Sequence, residues 1–166
     1  MIRLAFMTDK ARVFGASTWE GDALRLQLLP QGLHAIMNEI LAAENVALGR
    51  RSYEKFYSSP RMARKEMYVL TRDKNYHPSS AVKICSDFME LVKRFKDSDD
   101  ELMIPGGAEV LKLFTPYAQI VDVAETTELV PGDLIFDEWD KEDFKLVMAK
   151  DWDGGKQLRY ERQIID

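Results

Sequence analysis

Arginine, serine, threonine and paired glycines recur in this chain directly after short apolar runs. The stretches are Leu48-Gly49-Arg50-Arg51-Ser52-Tyr53-Glu54, Val69-Leu70-Thr71-Arg72 and Ile104-Pro105-Gly106-Gly107-Ala108-Glu109-Val110. Each sets a phosphate-compatible turn at the end of a strand-like segment. Free backbone N–H groups and the positive end of a helix dipole meet an anion at such a turn. Arg50, Arg51 and Arg72 add fixed charges able to grip phosphate in a bidentate way. The chemistry implied is nucleotide binding. Taken singly, each stretch also reads as strand, turn and surface arginine, and it is their order and spacing that favour the nucleotide.

These turns need strands and helices to hold them. Ile2-Arg3-Leu4-Ala5-Phe6-Met7 reads as a first strand, followed by a polar turn, Arg12-Val13-Phe14-Gly15 and an irregular loop from Ala16 to about Pro30. Leu33, Ile36, Met37, Ile40 and Leu41 recur at helical spacing, predicting an amphipathic helix over about 31–43. Val46-Ala47-Leu48, Met67-Tyr68-Val69-Leu70, Val82-Lys83-Ile84-Cys85, Leu102-Met103-Ile104 and Ile120 to Ala124 read as strands. Short helices are expected over 52–57, over Phe88 to Lys96 with Asp87 and Glu90 as a capping box, and over Glu109 to Phe114, ended by Pro116. Phe144-Leu146-Met148 and Leu158-Tyr160 alternate on either side of Asp153-Gly154-Gly155, the pattern of a closing β-hairpin. Alternating strands and helices give an α/β fold with a mostly parallel sheet, to which the hairpin adds antiparallel edge strands.

The 166 residues fit one domain, 1–166, whose core buries roughly 68–70% of the unfolded surface. With 46% hydrophobic and 31% charged residues the composition is that of a soluble globular protein. A formal net charge of −5 argues against nucleic-acid and anionic-membrane surfaces, so any phosphate site is local. No apolar run approaches the roughly 20 residues that span a bilayer, and Arg3 and Asp9 interrupt the N-terminus where a signal peptide is apolar, so a cytoplasmic location is expected. The lone Cys85 makes no intramolecular disulfide and reads as a small core or half-buried residue. With His34 and His77 far apart, no metal constellation is visible.

The three turns, with Val13-Phe14-Gly15, Phe114-Thr115-Pro116-Tyr117-Ala118 and Gly132-Asp133-Leu134-Ile135-Phe136, come in the order of dihydrofolate reductase, which the chain resembles almost throughout. The resemblance implies a three-layer α/β fold with a mostly parallel central sheet and an antiparallel C-terminal hairpin. It also implies NADPH as cofactor. Gly49, Arg50, Arg51 and Ser52 would hold the pyrophosphate and 2′-phosphate, and Leu70, Thr71 and Arg72 would complete that pocket, with Arg51 and Arg72 open to reading as solvated arginines. A 2′-phosphate demands cationic partners that a ribose hydroxyl does not. Gly106 and Gly107 match a glycine pair whose intervening peptide is commonly cis, where backbone passes close to the nicotinamide; Ala108, Glu109 and Val110 follow it. Met7, Phe14 and Gly15 would line the nicotinamide pocket, and Ala5 and Phe6 the junction with substrate.

The resemblance fails where the proton chemistry belongs. The family's single buried acid lies in a Leu-Pro-x-(Asp/Glu)-Leu context; here that context reads Leu29-Pro30-Gln31-Gly32-Leu33, so Gly32 takes the acid's place and Gln27 that of a tryptophan. The acid's threonine partner becomes Ala124, a tyrosine near the nicotinamide becomes Leu111, and a pyrimidine-ring backbone contact falls on Pro105. Losing acid and partner together is coherent, because a buried polar group without its mate costs roughly 1–3 kcal/mol. Asp22 or Glu20, in the enlarged loop Thr18-Trp19-Glu20-Gly21-Asp22, can fold over and supply a proton, a role assigned first to Asp22; water can also deliver it, or the loop tip is merely solvated. Arg64 matches the arginine that clamps the folate carboxylate, though Lys65 beside it leaves the choice open. Ile36 and Met37 would cover the pterin and benzoyl rings, with core packing an equally good reading.

The function implied is reduction of dihydrofolate to tetrahydrofolate, in one-carbon metabolism, with a small pterin or folate as partner. Two alternatives stand beside it: a reductase of another pterin or a pyrimidine, which the missing acid favours, and a non-catalytic nucleotide-binding homologue. Oligomeric state is not readable.

Overall fold

The computed structural model describes residues 1–9, 13–15, 30–58, 65–78, 81–127, 134–135, 141–152 and 154–163. Strand β1 (Ile2–Thr8) is buried along most of its length, as an interior strand must be. It is followed by β2 (Val13–Gly15) and helix α1 (Pro30–Ala42), whose first residue is a proline, pre-set for a helix start. Ile36 and Ile40, one turn apart, are buried and fix its apolar face. Strand β3 (Asn45–Gly49), with Val46, Ala47 and Leu48 all buried, leads into a single α turn, α2 (Arg50–Ser52), which widens into a π turn, Tyr53–Tyr57. The helical segment thus starts at Arg50, two residues ahead of the expected Ser52.

Strands β4 (Glu66–Leu70) and β5 (Val82–Cys85) precede α3 (Phe88–Phe95). Asp87 caps α3, its carboxylate accepting from Met89 N at 3.0 Å, while Glu90 N reaches the Asp87 carbonyl at 3.2 Å. Leu91, Val92 and Phe95 form the buried stripe of α3. Strand β6 (Leu102–Ile104) is buried throughout and runs through the glycine pair into α4 (Ala108–Phe114). The α-helix stops at Phe114, just ahead of Pro116, as expected. The chain tightens into a 3-10 turn, Thr115–Tyr117, because the proline lacks the N–H that would extend the α ladder, and Thr115 Oγ1 donates to the Leu111 carbonyl at 2.7 Å. Strands β7 (Ile120–Thr126), β8 (Leu134–Ile135), β9 (Phe144–Trp152) and β10 (Gly155–Arg162) complete the order, with a 3-10 turn at Lys141–Asp143.

The chain packs as two compact units. One comprises Met1–Leu4 and Ile40–Gln119. Its strands lie in the order β5-β4-β3-β6-β1, every pair parallel. Leu4, Leu48, Val69, Phe95, Ile104, Leu111 and Phe114 make its core. The other comprises Ala5–Glu39 and Ile120–Asp166. There β7, β10 and β9 are antiparallel neighbours, and β2 pairs antiparallel with β8. Parallel crossover strands and a C-terminal antiparallel hairpin are both as expected from the sequence. Of the hairpin's alternating apolar residues, Phe144 and Leu158 are buried, Met148 and Tyr160 half-buried and Leu146 exposed.

Candidate functional site

Parallel neighbours align their carboxyl ends, and ligands of α/β sheets gather there. In the first unit β4, β3 and β6 are consecutive, so the turns after Leu70, Gly49 and Ile104 come together. Gly49 N donates to the Gly106 carbonyl at 3.1 Å. A Cβ on Gly49 would lie 3.3 Å from Val110 Cγ2 and 3.8 Å from Gly107 N, and one on Gly107 would lie 3.4 Å from Ser52 Oγ. Gly106, at φ 147, holds a backbone that other residues rarely adopt, and the Gly106-Gly107 peptide is cis. Gly49 and Gly107 begin α2 and α4 with no side chain on their caps. The result is a cradle of bare backbone, closed on one side by Val110 and on the other by Ser52.

The cationic rim is more committed than the sequence implies. Arg50 Nε pairs with Glu54 Oε1 at 3.1 Å, and its Nη1 with Asp73 Oδ2 at 3.3 Å. The guanidinium lies 3.9 Å from the centroid of the Tyr76 ring, whose hydroxyl donates to Glu54 Oε1 at 3.0 Å. The Glu54 hydrogen bond raises the Arg50 pKa; Arg50 first, then Tyr76, lowers that of Glu54. Burial, then the Glu54 hydrogen bond, raises the Tyr76 phenol. Thr71 N donates to the Cys85 carbonyl at 3.1 Å, and Thr71 Oγ1 accepts from Asp73 N at 3.2 Å, leaving the hydroxyl proton for an acceptor. Arg51 and Arg72 are exposed, and Arg72 has no ionic partner among the described residues. Glu109, fully on the surface side of α4, pairs with Lys112 at 3.6 Å.

Of the remaining expected residues, Pro105 and Leu111 are buried in the first unit and Ala108 is half-buried. Lys65 is not available as a carboxylate clamp. Its ammonium donates to the Leu41 carbonyl at 2.6 Å and to that of Ala43, closing the C-terminal end of α1, and burial lowers its pKa. Arg64, Glu20 and Asp22 lie outside the described residues.

In the second unit Ala5 and Phe6 are buried and Met7 half-buried on β1, and Ile36 is buried and Met37 half-buried on α1. Gly32 is the third residue of α1, Ala124 is buried in β7, and Phe14 and Gly15 belong to β2. No carboxylate stands at the third residue of α1, and Ala124 faces Gln157 across the β7–β10 pair. Two register positions away, Asp122, wholly buried, accepts from Arg159 Nε at 2.7 Å, and Arg159 Nη2 lies 3.2 Å from Glu39 Oε1 of α1. Gln157 Nε2 also approaches Glu39 Oε1, at 3.5 Å.

Sequence reasoning missed Glu54, Asp73 and Tyr76 at the rim and the Asp122–Arg159–Glu39 network. The i,i+4 spacing of Arg50 and Glu54 was a readable signal for the first. The other partners are distant in sequence and meet only in the folded chain. Among the described residues no group of three or more His, Cys, Asp or Glu can hold a metal, and no helix is long and apolar enough to cross a membrane.

The family model described as dihydrofolate reductase matches residues 21–166. By structure, the chain is similar to dihydrofolate reductase from Enterococcus faecalis complexed with NADP(H) and RAB-propyl, with a TM-score of 0.79 and 20% identity, covering 99% of this chain and 97% of that one. At that identity the likeness shows the fold. No curated protein matches by sequence.

Proposed function

The chain belongs to the dihydrofolate reductase family, and from that premise we propose that it is an NADPH-dependent reductase acting on a C=N bond of a pterin, with dihydrofolate as substrate and tetrahydrofolate as product. The observation that carries the reading is the bare-backbone cradle of Gly49, Gly106 and Gly107: any side chain at Gly49 or Gly107 would enter the space against Val110 or Ser52. Such a cradle suits a dinucleotide's pyrophosphate, which backbone N–H groups approach only where Cβ atoms are missing.

Bound there, NADPH would supply a hydride from its nicotinamide. Gly49, Gly106, Gly107 and Ser52 would hold the pyrophosphate, and Thr71 with Arg50, Arg51 and Arg72 would meet the 2′-phosphate. Leu70, Ala108, Glu109 and Val110 would border the same ligand, and Met7, Phe14 and Gly15 the nicotinamide. Ala5, Phe6, Ile36, Met37, Pro105, Leu111, Ala124 and, at the carboxylate tail, Arg64 are the proposed substrate contacts. With Gly32 and Ala124 in place of acid and threonine, the proton comes from Asp22 or from water. General acid catalysis contributes typically 10²–10⁴-fold, so a site without it remains a slower reductase, with orientation of the reacting groups still contributing.

The same two residues favour a second reading, in which the cofactor is kept and the substrate is another pterin or a pyrimidine that needs no protonation at that place. One domain over 1–166, a cytoplasmic location and small-molecule partners, without nucleic acid or membrane, complete the proposal; the net charge of −5 supports the exclusion of nucleic acid and anionic membrane.

The test is NADPH oxidation with dihydrofolate from pH 5 to 8, with Asp22→Asn alongside. Turnover abolished in the variant assigns the acid to the loop. Turnover equal in both assigns the proton to water. NADPH binding without turnover of dihydrofolate shifts the assignment to another substrate or to a non-catalytic nucleotide-binding homologue.

A further inference from the structure

The strongest unexplained feature lies beside the cradle. Arg50 is stacked on Tyr76 and paired with two carboxylates, one from its own helical turn and one from the turn after β4. Asp73 is itself fixed, its Oδ1 accepting from Asn75 N at 3.0 Å and its N–H bonded to Thr71. Arg50, Glu54 and Asp73 are about half exposed, at 44%, 47% and 49%, so an anion arriving from solvent can contest each pair. A 2′-phosphate and these carboxylates ask for the same guanidinium. A ribose 2′-hydroxyl, in contrast, is a donor and is welcomed by a carboxylate.

Resting on the reading that a dinucleotide binds in this cradle, we propose that Glu54 and Asp73 set cofactor selectivity by competing with the 2′-phosphate for Arg50, so that the chain accepts NADH alongside NADPH. Arg72, with no ionic partner among the described residues, and the Thr71 hydroxyl retain a basal preference for the phosphate. Asp73 and Glu54 oppose it, through their own charge and by holding Arg50 on the Tyr76 ring.

The test is equilibrium fluorescence titration of the intact chain with NADPH and with NADH at fixed ionic strength, for wild type, Asp73→Asn, Glu54→Gln and Arg50→Leu. Asparagine keeps an oxygen for Asn75 N, so the turn survives the substitution. Removing one negative charge within several ångströms of the phosphate is expected to tighten NADPH about tenfold and to leave NADH unchanged or weaker. In the double variant Asp73→Asn with Arg50→Leu most of that gain is lost. An unchanged NADPH-to-NADH ratio in both Asp73→Asn and Glu54→Gln overturns the inference while leaving the cradle assignment intact. Failure of wild type to bind either dinucleotide overturns both.

Discussion

Arg159 Nε donates to Asp122 Oδ1 at 2.7 Å directly across the β7–β10 pair, and the Asp122 side chain has no exposure to solvent. The same guanidinium reaches Glu39 of α1 at 3.2 Å, so one arginine ties the helix carrying Gly32 to the strand carrying Ala124. Removing one partner of a buried pair strands the other charge, at a cost of roughly 3–5 kcal/mol, whereas replacing both with apolar groups is often neutral. Arg159→Met is therefore expected to lower the unfolding free energy by about 3 kcal/mol, and adding Asp122→Leu to recover most of it. Urea denaturation of the two variants decides this; a single variant as stable as wild type would show that the pair does not hold the sheet face together.

Gly155 makes a different demand. A Cβ there would sit 2.5 Å from the Glu125 carbonyl oxygen and 2.5 Å from Trp152 Cζ2. The ring can move, but the backbone carbonyl cannot, so Gly155→Ala is expected to cost about 1–3 kcal/mol, and Trp152→Ala should not rescue it. The adjacent Gly154 has open space but φ 102, so Gly154→Ala costs only about 1 kcal/mol through its backbone. Thermal melts that rank Gly154→Ala as the worse of the two would contradict this account.

Which parts of this architecture could be read in advance follows from the range of the interactions involved. Ile36 and Ile40, Leu91 and Phe95, and the runs Val46–Leu48 and Leu102–Ile104 carry their periodicity locally, and each became the expected helix or strand. The glycine turns were legible for the same reason: a strand end followed by Gly-Arg or Gly-Gly is a local pattern. Less legible were the 3-10 turn that follows Phe114 and the exposure of Leu146 and Val147 in β9. Asp73 reaching Arg50, and Arg159 reaching Asp122, depend on register between segments distant in sequence, which no window of one chain displays. Lys65 stands in the sequence as an alternative to Arg64 because its charge is visible there, while the carbonyls of Leu41 and Ala43 that it serves are not.

Cys85 supplies a pH test. Burial raises its thiol pKa above the usual thiol range, and its Sγ donates to the Asp87 carbonyl at 3.1 Å. A group whose folded pKa is raised contributes stability that is complete below its unfolded value and is lost as pH climbs through the folded one. Wild type is thus expected to lose stability relative to Cys85→Ala as pH rises from the ordinary thiol range upward, with no such difference at neutral pH. A disulfide reagent should label the native thiol slowly, and at the free-thiol rate in denaturant. Rapid native labelling at pH 8 would mean that the site is open.

Gly32 offers the most direct probe of the missing proton chemistry. It is the third residue of α1, one helical turn before the buried Ile36. The first turn of α1 contains no acidic residue. Gly32→Asp would supply a carboxylate where the helix dipole favours one, a gain of about 0.3–1 kcal/mol, and replace glycine with a residue of better helix propensity, so the fold should tolerate it. If the proposed function holds, the variant gains a general acid at the place from which the family's acid acts. Turnover of dihydrofolate below pH 7 is expected to rise by about 10²-fold, with a new acidic limb in the pH profile, and diaminopyrimidine inhibitors, whose protonated ring pairs with a carboxylate, should bind more tightly. Were the pH profile and inhibitor affinity both to stay as in wild type while NADPH still binds, the substrate would have to approach some other face of α1, and a different pterin or a pyrimidine would become the stronger assignment.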